Sequence, residues 1–243
     1  MESNYRPVQP GRGAAPYIGG KSKLAKRIIQ RIEAIPHEAY AEVFVGMGGV
    51  FFRRRVAPKA EIINDRSRDV ATFFRVLQRH YQAFLDEMKW KLGGRVEFER
   101  LIATDPETLT DLERSARFYY LQRLAFGGKV AGRSYGVSPF EASGFNIVRL
   151  ASELEEIHSR LAGVVVECLD FEAFLDRYDR PGVLFYLDPP YWNSEGDYGK
   201  ELFSRADFAR LAATLHRLKG DFLLSLNDAH GVRLCFEGDS DEV

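Results

Sequence analysis

The chain has 243 residues, of which 45% are hydrophobic and 13% are aromatic, so it can bury a sizeable core and is not a disordered protein. No apolar run approaches the ~20 residues of a membrane span, and Cys168 and Cys235 lack the spacing of a metal site or a disulfide framework. We therefore expect a protein of the reducing cytoplasm, with no signal peptide and no bound metal.

The net charge of −1 hides an uneven distribution of charge along the chain. Residues 1–65 carry 11 basic and 6 acidic side chains, residues 66–150 carry 14 and 10, and residues 151–243 carry 9 and 19. Residues 114–140 contain no acid, and their basic side chains are Arg114, Arg117, Arg123, Lys129 and Arg133. Such a distribution suits a phosphate-binding face on a nearly neutral protein, and a solvated basic surface explains it equally well.

At the N-terminus, residues 1–15 are polar and contain Arg, Pro and Gly, which predicts a mobile tail. A turn at Gly19 and Gly20, with Lys21 beside it, precedes residues 24–35, whose apolar side chains recur at helical spacing. Free amides at the start of that helix suit an anion, but by itself the pattern indicates only a glycine turn.

The next segment favours a sheet that binds a nucleoside-containing cofactor. Residues 41–45 are typical of a strand that leads into the Gly-Met-Gly-Gly turn at 46–49, and a second strand, Ala60–Asn64, ends at Asp65. Glycines directly after a first strand let a cofactor approach the backbone, and an acid after the second strand suits ribose hydroxyls.

A mainly helical region follows this first pair of strands. Residues 66–92 have one long helical pattern, and further helices are predicted at residues 96–103 and 112–126. The region has no strong strand and interrupts the alternation of strands and helices. We therefore predict an inserted helical domain at residues 67–146.

A glycine-rich loop at residues 127–136 carries Lys129, Arg133 and Tyr135. Small residues, two cations and an aromatic ring suit a segment that enters a DNA groove or follows a single strand. A flexible surface loop is the competing interpretation.

The α/β pattern resumes with a helix at residues 150–161 and a strand at residues 164–167, which leads to Asp170 and Phe171. An acid followed by an aromatic ring at a strand end suits the amino edge and the face of an adenine ring. Asp170 suits the N-cap of the following helix equally well.

The clearest functional signal is the apolar strand Val183–Leu187, which stops at Asp188, Pro189, Pro190 and Tyr191. Prolines cannot donate to a β-ladder, so a stiff loop follows the carboxyl end of the strand, where open α/β sheets bind their ligands. Asp188 and the Pro189 carbonyl would accept hydrogen bonds from an exocyclic amine and free its lone pair for alkylation. Tyr191 offers a face on which an extruded base stacks. The alternative is a strand that ends in a proline turn with a surface tyrosine.

The last part of the chain continues the α/β pattern. Residues 192–200 form a polar loop typical of a lid. Ser204 and Asp207 predict a capping box for a helix that extends to residue 218, and residues 222–226 predict a further strand.

Six short motifs follow one another along the chain: Tyr17-x-Gly-Gly-Lys21, Phe44-x-Gly46-x-Gly48, Asn64-Asp65, Asp170-Phe171, Asp188-Pro189-Pro190-Tyr191 and Leu224-Ser-Leu-Asn-Asp228. Their order resembles that of the Dam-like, D12-class DNA adenine-N6 methyltransferases of phages and restriction-modification systems. The resemblance implies an α/β, Rossmann-like S-adenosylmethionine-dependent methyltransferase sheet of seven strands. Residues 1–66 and 147–243 would form the catalytic domain, and residues 67–146 the inserted target-recognition domain.

The resemblance also implies roles for the motif residues. The catalytic residues would be Asp188, Pro189, Pro190 and Tyr191. The residues that would bind or position S-adenosylmethionine are Tyr17, Lys21, Phe44, Gly46, Gly48, Asp65, Asp170, Phe171 and Asp188. For double-stranded DNA, the expected contacts are Arg114, Arg117, Arg123, Lys129, Arg133 and Tyr135.

The sequence departs from the family pattern in three features. Pro16 stands where many relatives have a basic residue, and Tyr17 where many have Trp. Only 15 residues follow Asp228, and they end in an acidic run at 237–242, so the final hairpin of the family sheet is expected to be missing. Such a sheet would have an exposed edge.

We expect a monomeric, metal-independent enzyme that methylates N6 of a flipped-out adenine at a specific site in duplex DNA, GATC-like sites being the family's commonest. Two alternatives stay open. In the first, the target is a different amino group, either cytosine N4 or an RNA adenine. In the second, the chain is a catalytically silent DNA-binding relic whose truncated sheet no longer holds the cofactor.

Overall fold

The structure of the protein, a computed structural model, describes residues 5–21, 23–136, 144–199 and 202–236. Seven strands lie in these ranges: β1 Tyr5–Pro7, β2 Ala39–Glu42, β3 Val56–Pro58, β4 Ala60–Asn64, β5 Val165–Glu167, β6 Val183–Leu187 and β7 Asp221–Leu224. Five of them form a parallel sheet in the order β5-β4-β2-β6-β7, and β1 pairs with β3 in a separate antiparallel ribbon. Because the five strands are parallel, their carboxyl ends meet at one edge of the sheet.

The helices described in the structure cover both faces of this sheet. They are α1 Ala25–Ala34, α2 Arg68–Arg79, α3 Tyr81–Lys89, α4 Arg95–Ala103, α5 Asp111–Leu124, α6 Ile147–Arg160, α7 Phe171–Tyr178, α8 Ala206–His216 and α9 His230–Phe236. None of them is long and apolar enough to cross a membrane. The result is an α/β fold, as the sequence predicted.

Alternate side chains of β6 enter two hydrophobic cores. Leu184 and Tyr186 belong to the core that α1 to α6 cover, whereas Val183, Phe185 and Leu187 face α7 and α8. All five side chains are buried, which explains why this strand is a continuous apolar run with no polar alternation.

The helices at residues 67–146 share the first of these cores with the sheet. Phe73 of α2 stacks on Tyr119 of α5, with ring centroids 5.3 Å apart, and the same core contains Ile63 of β4 and Leu184 of β6. The helical segment therefore packs as a continuation of the layer above the sheet. Its division from the catalytic domain at residues 67 and 146 stays a prediction.

The predicted mobile tail is wrong for residues 5–14. Tyr5–Pro7 forms β1, and the chain then runs beside the segment before β3, with Val8 N donating to Arg55 O at 2.9 Å and Ala14 N to Met47 O at 2.9 Å. These pairings join residues 33 to 53 positions apart in the chain, so no local pattern predicts them.

The long helix predicted at residues 66–92 is also wrong, because the chain breaks at His80. Its backbone angles, φ −128° and ψ 33°, end α2 and begin α3. No glycine or proline marks the break.

At the C-terminal end of the chain, the structure has a helix, α9, that was not predicted. Residues 237–243 lie outside the described residues, so the expected incomplete sheet stays a prediction.

Glu61 of β4 anchors a buried network of charges between the sheet and α6. Its carboxylate lies 2.8 Å from Arg54 Nη1 and 2.6 and 2.7 Å from the two terminal nitrogens of Arg160, which is on α6. Each guanidinium group also lies over an aromatic ring, Arg54 over Tyr40 and Arg160 over Phe51. The network ties β4 to α6 and to the segment before β3. Its two buried cations share one carboxylate, which the exposed Arg6 also approaches at 3.6 Å.

Glu61→Gln should lower the free energy of unfolding by about 3–5 kcal/mol, because two buried guanidinium groups would lose their shared carboxylate. Chemical denaturation followed by circular dichroism measures the change. Lys89→Gln, which breaks an exposed pair with Asp86, is the control and should leave the denaturation midpoint near that of the wild type. A midpoint for Glu61→Gln equal to that of the control would contradict the structural importance of the network.

Candidate active site at the carboxyl edge of the sheet

A cavity of about 480 Å³ opens where β2, β4 and β6 end. Eight of the residues predicted for catalysis or cofactor binding line it: Tyr17, Lys21, Phe44, Gly46, Asp65, Phe171, Asp188 and Pro190. Gly48, Asp170, Pro189 and Tyr191 lie next to lining residues in the chain. The fold therefore brings together motifs that are spread over more than 170 residues of sequence.

Lys21 and Asp188 form a buried ion pair in the wall of the cavity. Lys21 Nζ lies 2.7 Å from Asp188 Oδ1, and the two side chains are only 7% and 17% exposed. The same ammonium group donates to Gly19 O at 3.0 Å and lies 4.3 Å from the centre of the Tyr191 ring. Burial raises the pKa of Asp188 to about 6, and the charge of Lys21 opposes that rise.

Contacts with the loop after β7 hold the proline turn in place. Trp192 N donates to Asn227 Oδ1 at 2.9 Å, and Asn227 Nδ2 donates to Trp192 O at 3.2 Å. The Tyr191 hydroxyl lies 3.5 Å from Ser225 Oγ. Two neighbouring strand ends thus support each other, which gives the turn the rigidity that precise hydrogen bonding to a substrate requires.

Asp65 fastens the glycine turn to the end of β4. Its carboxylate accepts hydrogen bonds from Gly46 N and Ser67 N, both at 2.9 Å. Burial raises the pKa of Asp65 to about 6, against the lowering effect of these two amides. Each carboxylate oxygen has capacity for a further hydrogen bond, and Asp65 lines the cavity.

The turn at residues 46–49 requires two of its three glycines, Gly46 and Gly48, for different reasons. Gly46 has φ +51°, and a Cβ atom there would lie 2.9 Å from the Tyr17 ring. Gly48 has φ +71°, and a Cβ atom would lie 2.2 Å from Phe52, inside the core. The first glycine makes room for a side chain of the cavity wall, and the second lets the turn pack on the protein interior.

Asp170 is the N-cap of α7, the alternative that the sequence left open. Its Oδ1 accepts from Glu172 N at 3.1 Å, and its carboxylate pairs with Arg66 and, at 2.9 Å, with Arg210. Phe171, the next residue, lines the cavity with its ring centroid 6.0 Å from that of Phe44. The ring is therefore placed to contact a ligand, whereas the carboxylate is occupied by three partners.

Several cavity residues were given no role from the sequence, and three of them are Glu42, Asn64 and Tyr198. Glu42 ends β2, is 2% exposed and accepts a hydrogen bond from the Tyr40 hydroxyl at 2.8 Å. Burial raises the pKa of Glu42 to about 8, so its carboxyl is mainly protonated at neutral pH and adds little negative charge beside Asp188. The Asn64 side chain donates to Val43 O and Leu169 O and accepts from Leu169 N, which connects the ends of β2, β4 and β5.

The third missed residue, Tyr198, lies on the loop predicted to be a lid. Its hydroxyl donates to Ile18 O at 2.9 Å, and its ring centroid lies 5.8 Å from that of Tyr17. On the same loop, Asp197 O accepts a hydrogen bond from Ala131 N of the glycine-rich loop at 3.1 Å. The described part of this loop thus covers the cavity and contacts the helical layer.

Gln122 of α5 joins the glycine-rich loop to the cavity wall. This buried side chain donates to Pro16 O at 2.8 Å and to Gly128 O at 2.7 Å, and its Oε1 accepts from Arg133 at 3.1 Å. Ile18 N also donates to Gly128 O. The base of the loop and the segment that carries Tyr17 therefore form one hydrogen-bonded unit.

The residues predicted to contact DNA do not form one free surface. Arg114 is buried and pairs with Asp69 at 2.6 Å and Glu107 at 2.7 Å, and Arg117 is buried and donates to Leu101 O at 2.7 Å. These contacts favour structural roles for both guanidinium groups.

The other candidates lie closer to solvent. Lys129 is exposed, Arg123 donates to Gly144 O at 3.1 Å, and Arg133 is held by Gln122. Tyr135 is half-buried, with its ring 5.3 Å from that of Phe98. Of the six residues, Lys129 has the side chain that is most available to a phosphate.

No group of three or more His, Cys, Asp or Glu side chains among the described residues is arranged to hold a metal ion. Cys168 and Cys235 are both free thiols. The charged side chains that line the cavity are acids at the strand ends, Lys21 and several arginines.

Comparison with known proteins gives a consistent result. A family model, D12 class N6 adenine-specific DNA methyltransferase, matches residues 17–240. The type II methyltransferase M.CviBI of Paramecium bursaria Chlorella virus NC1A is 22% identical, with 91% of this chain and 85% of the relative covered. M1.LlaDCHI of Lactococcus lactis subsp. cremoris, also a type II methyltransferase, is 23% identical, with 88% and 80% covered. A DNA N-6-adenine-methyltransferase of Escherichia phage P1 is 25% identical over 96% of this chain, which corresponds to 32% of the phage protein.

Gly46→Ala should destabilise the protein more than Gly163→Ala. Both glycines have positive φ, so both variants carry the backbone strain of a left-handed alanine, but only the Cβ atom at Gly46 meets another side chain, that of Tyr17. Thermal unfolding of the two variants measures the difference, and equal melting temperatures would show that the Tyr17 ring moves aside without cost.

Proposed function

Because the chain belongs to the D12 class of N6 adenine-specific DNA methyltransferases, we propose that it transfers a methyl group from S-adenosylmethionine to N6 of an adenine at a specific short site in double-stranded DNA. The observation that carries this proposal is the Asp188 carboxylate, paired with Lys21 at 2.7 Å on the wall of a cavity that Asp65 and Phe171 also line. The proposed hydrogen-bond acceptor and the residues proposed to bind the cofactor thus line the same cavity.

The described residues fit S-adenosylmethionine. The cavity volume of about 480 Å³ is in the range of small-molecule sites, and its walls combine aromatic rings with a few convergent polar groups. Asp65 would hold the ribose hydroxyls, Phe171 would lie against the adenine, and the turn at Gly46 would receive the methionine side. When bound, the cofactor supplies an electrophilic methyl group on a sulfonium.

Asp188 and the Pro189 carbonyl would act on the amine of the target base. The N6 lone pair of adenine is delocalised into the ring, and two hydrogen-bond acceptors on one side favour the pyramidal nitrogen that exposes it. Both acceptors are fixed before the base arrives, since the ion pair with Lys21 and the Trp192–Asn227 contacts hold the turn. Tyr191 would stack on the base.

The depth of the site requires the base to leave the duplex. Asp188 is only 17% exposed and lies at the end of a fully buried strand, where an adenine paired inside a helix cannot reach it. We therefore propose base flipping. For the surrounding DNA, we propose phosphate contacts through Lys129 and the glycine-rich loop, while Arg114 and Arg117 stabilise the helical layer from within.

Transfer of labelled methyl from S-adenosylmethionine to unmethylated genomic DNA, followed by nucleoside analysis, tests the proposal. Label in N6-methyladenine is the expected result. Label in N4-methylcytosine would contradict the assigned target, and folded protein that leaves the DNA unlabelled would contradict the assigned reaction.

Asp188→Asn should lower the rate of methyl transfer by about 100- to 1,000-fold, because the amide removes the charged acceptor while keeping the shape of the side chain. Single-turnover transfer with saturating cofactor and DNA measures the loss. Asp176→Asn on α7 is the control, since Asp176 pairs with Arg217 on the surface and does not line the cavity. Equal rates in the two variants would rule out Asp188 as the acceptor.

The rate of transfer should also fall as the pH decreases through about 6. Burial raises the pKa of Asp188 to about 6, so the acceptor carboxylate predominates above that pH and is protonated below it. Asp65 has a similarly raised pKa, which is why the rate should be measured with saturating cofactor. A flat single-turnover profile from about pH 5 to about pH 8, with circular dichroism unchanged, would mean that Asp188 does not act as a carboxylate.

A further inference from the structure

The cavity continues past the glycine turn to a wall that carries two arginines, Arg12 and Arg53. Arg12 belongs to the N-terminal segment, which Gly11 N and Ala14 N attach to Phe52 O and Met47 O. Arg53 follows the turn and donates from Nη1 to Gly49 O. The Arg53 side chain is therefore bonded to the last residue of the Gly-Met-Gly-Gly turn, and the backbone on either side of Arg12, an exposed residue at the rim of the cavity, is attached to the same part of the chain.

Among the described residues, no acidic side chain forms an ion pair with Arg12 or Arg53. Two further arginines of the cavity, Arg123 and Arg149, differ in this respect, since both contact Glu153, at 3.6 and 2.9 Å. Burial and the nearby charge of Arg12 both lower the pKa of Arg53. Like charges at a partly buried wall are unfavourable unless an anion joins them.

We propose that Arg12 and Arg53 bind the carboxylate of the amino-acid end of the cofactor. This assignment rests on the proposed function and extends it to the far end of the site. A ligand with its nucleoside at Asp65 and Phe171 has to pass the glycine turn, and beyond Gly49 it meets the Arg53 guanidinium group. Paired guanidinium groups match a carboxylate in charge and in hydrogen-bond geometry.

A DNA phosphate is the competing anion, and the observations favour the carboxylate. Arg53 is half-buried and bonded to the backbone of the glycine turn, so it faces the interior of the cavity and not an outer surface. A phosphate of a DNA strand would have to enter the same cavity as the cofactor to reach it.

Calorimetric titration with two ligands separates these interpretations. S-adenosylhomocysteine carries the amino-acid end, and 5′-methylthioadenosine has the same thioether nucleoside without it. Arg12→Gln and Arg53→Gln should each weaken binding of S-adenosylhomocysteine roughly 10-fold or more, the loss typical of a charge-assisted hydrogen bond, and leave binding of 5′-methylthioadenosine unchanged. Arg55→Gln, an exposed neighbour that does not line the cavity, is the matched control.

Three results would overturn the assignment. Wild-type affinity of both variants for S-adenosylhomocysteine, in a protein that methylates DNA, would exclude a carboxylate contact and leave the proposed function standing. Equal weakening of both ligands would indicate damage to the cavity and not loss of one contact. Unchanged affinity for the cofactor product with a weaker, less salt-dependent affinity for DNA would assign the two arginines to phosphate.

Discussion

The ion pair between Lys21 and Asp188 determines the geometry of the site, because it connects the segment before α1 to the end of the central strand. Burying both charges costs desolvation energy, which only close contact and additional polar partners offset. Here the 2.7 Å contact, the Gly19 carbonyl and the Tyr191 ring provide them. The pair also keeps negative charge on a carboxyl group whose pKa burial raises, so the lysine preserves the property that the proposed chemistry needs.

Much of the sheet could be predicted from the sequence, since its strands are short apolar runs bounded by turn residues. Ala60–Asn64 and Val183–Leu187 were predicted with the bounds that the structure has. The β1–β3 ribbon could not, because its strands have three residues each, end in proline and pair with a segment about 50 positions away. The break at His80 was missed because neither glycine nor proline stands there to mark the end of α2.

The candidate site was predictable where a residue type implies a chemistry, and not where burial decides the role. Asp188 and Lys21 were each identified, but nothing in the local sequence showed that they touch. Charge counting marked Arg114 and Arg117 as DNA contacts, whereas the tertiary fold brings Asp69 and Glu107 to Arg114 and the Leu101 carbonyl to Arg117. Glu42 and Tyr198 stand in ordinary sequence contexts, and only the structure shows that they face the cavity.

Arg12 and β1 precede residue 17, where the match to the family begins. One wall of the cavity is therefore built from a part of the chain that the shared motifs do not specify. An inhibitor that occupies only the corner at Asp188 meets groups that the whole family defines, and should affect many of its members. A compound extended from the glycine turn towards Arg12 meets a segment outside the family match, so this wall is the place to seek selectivity among related methyltransferases.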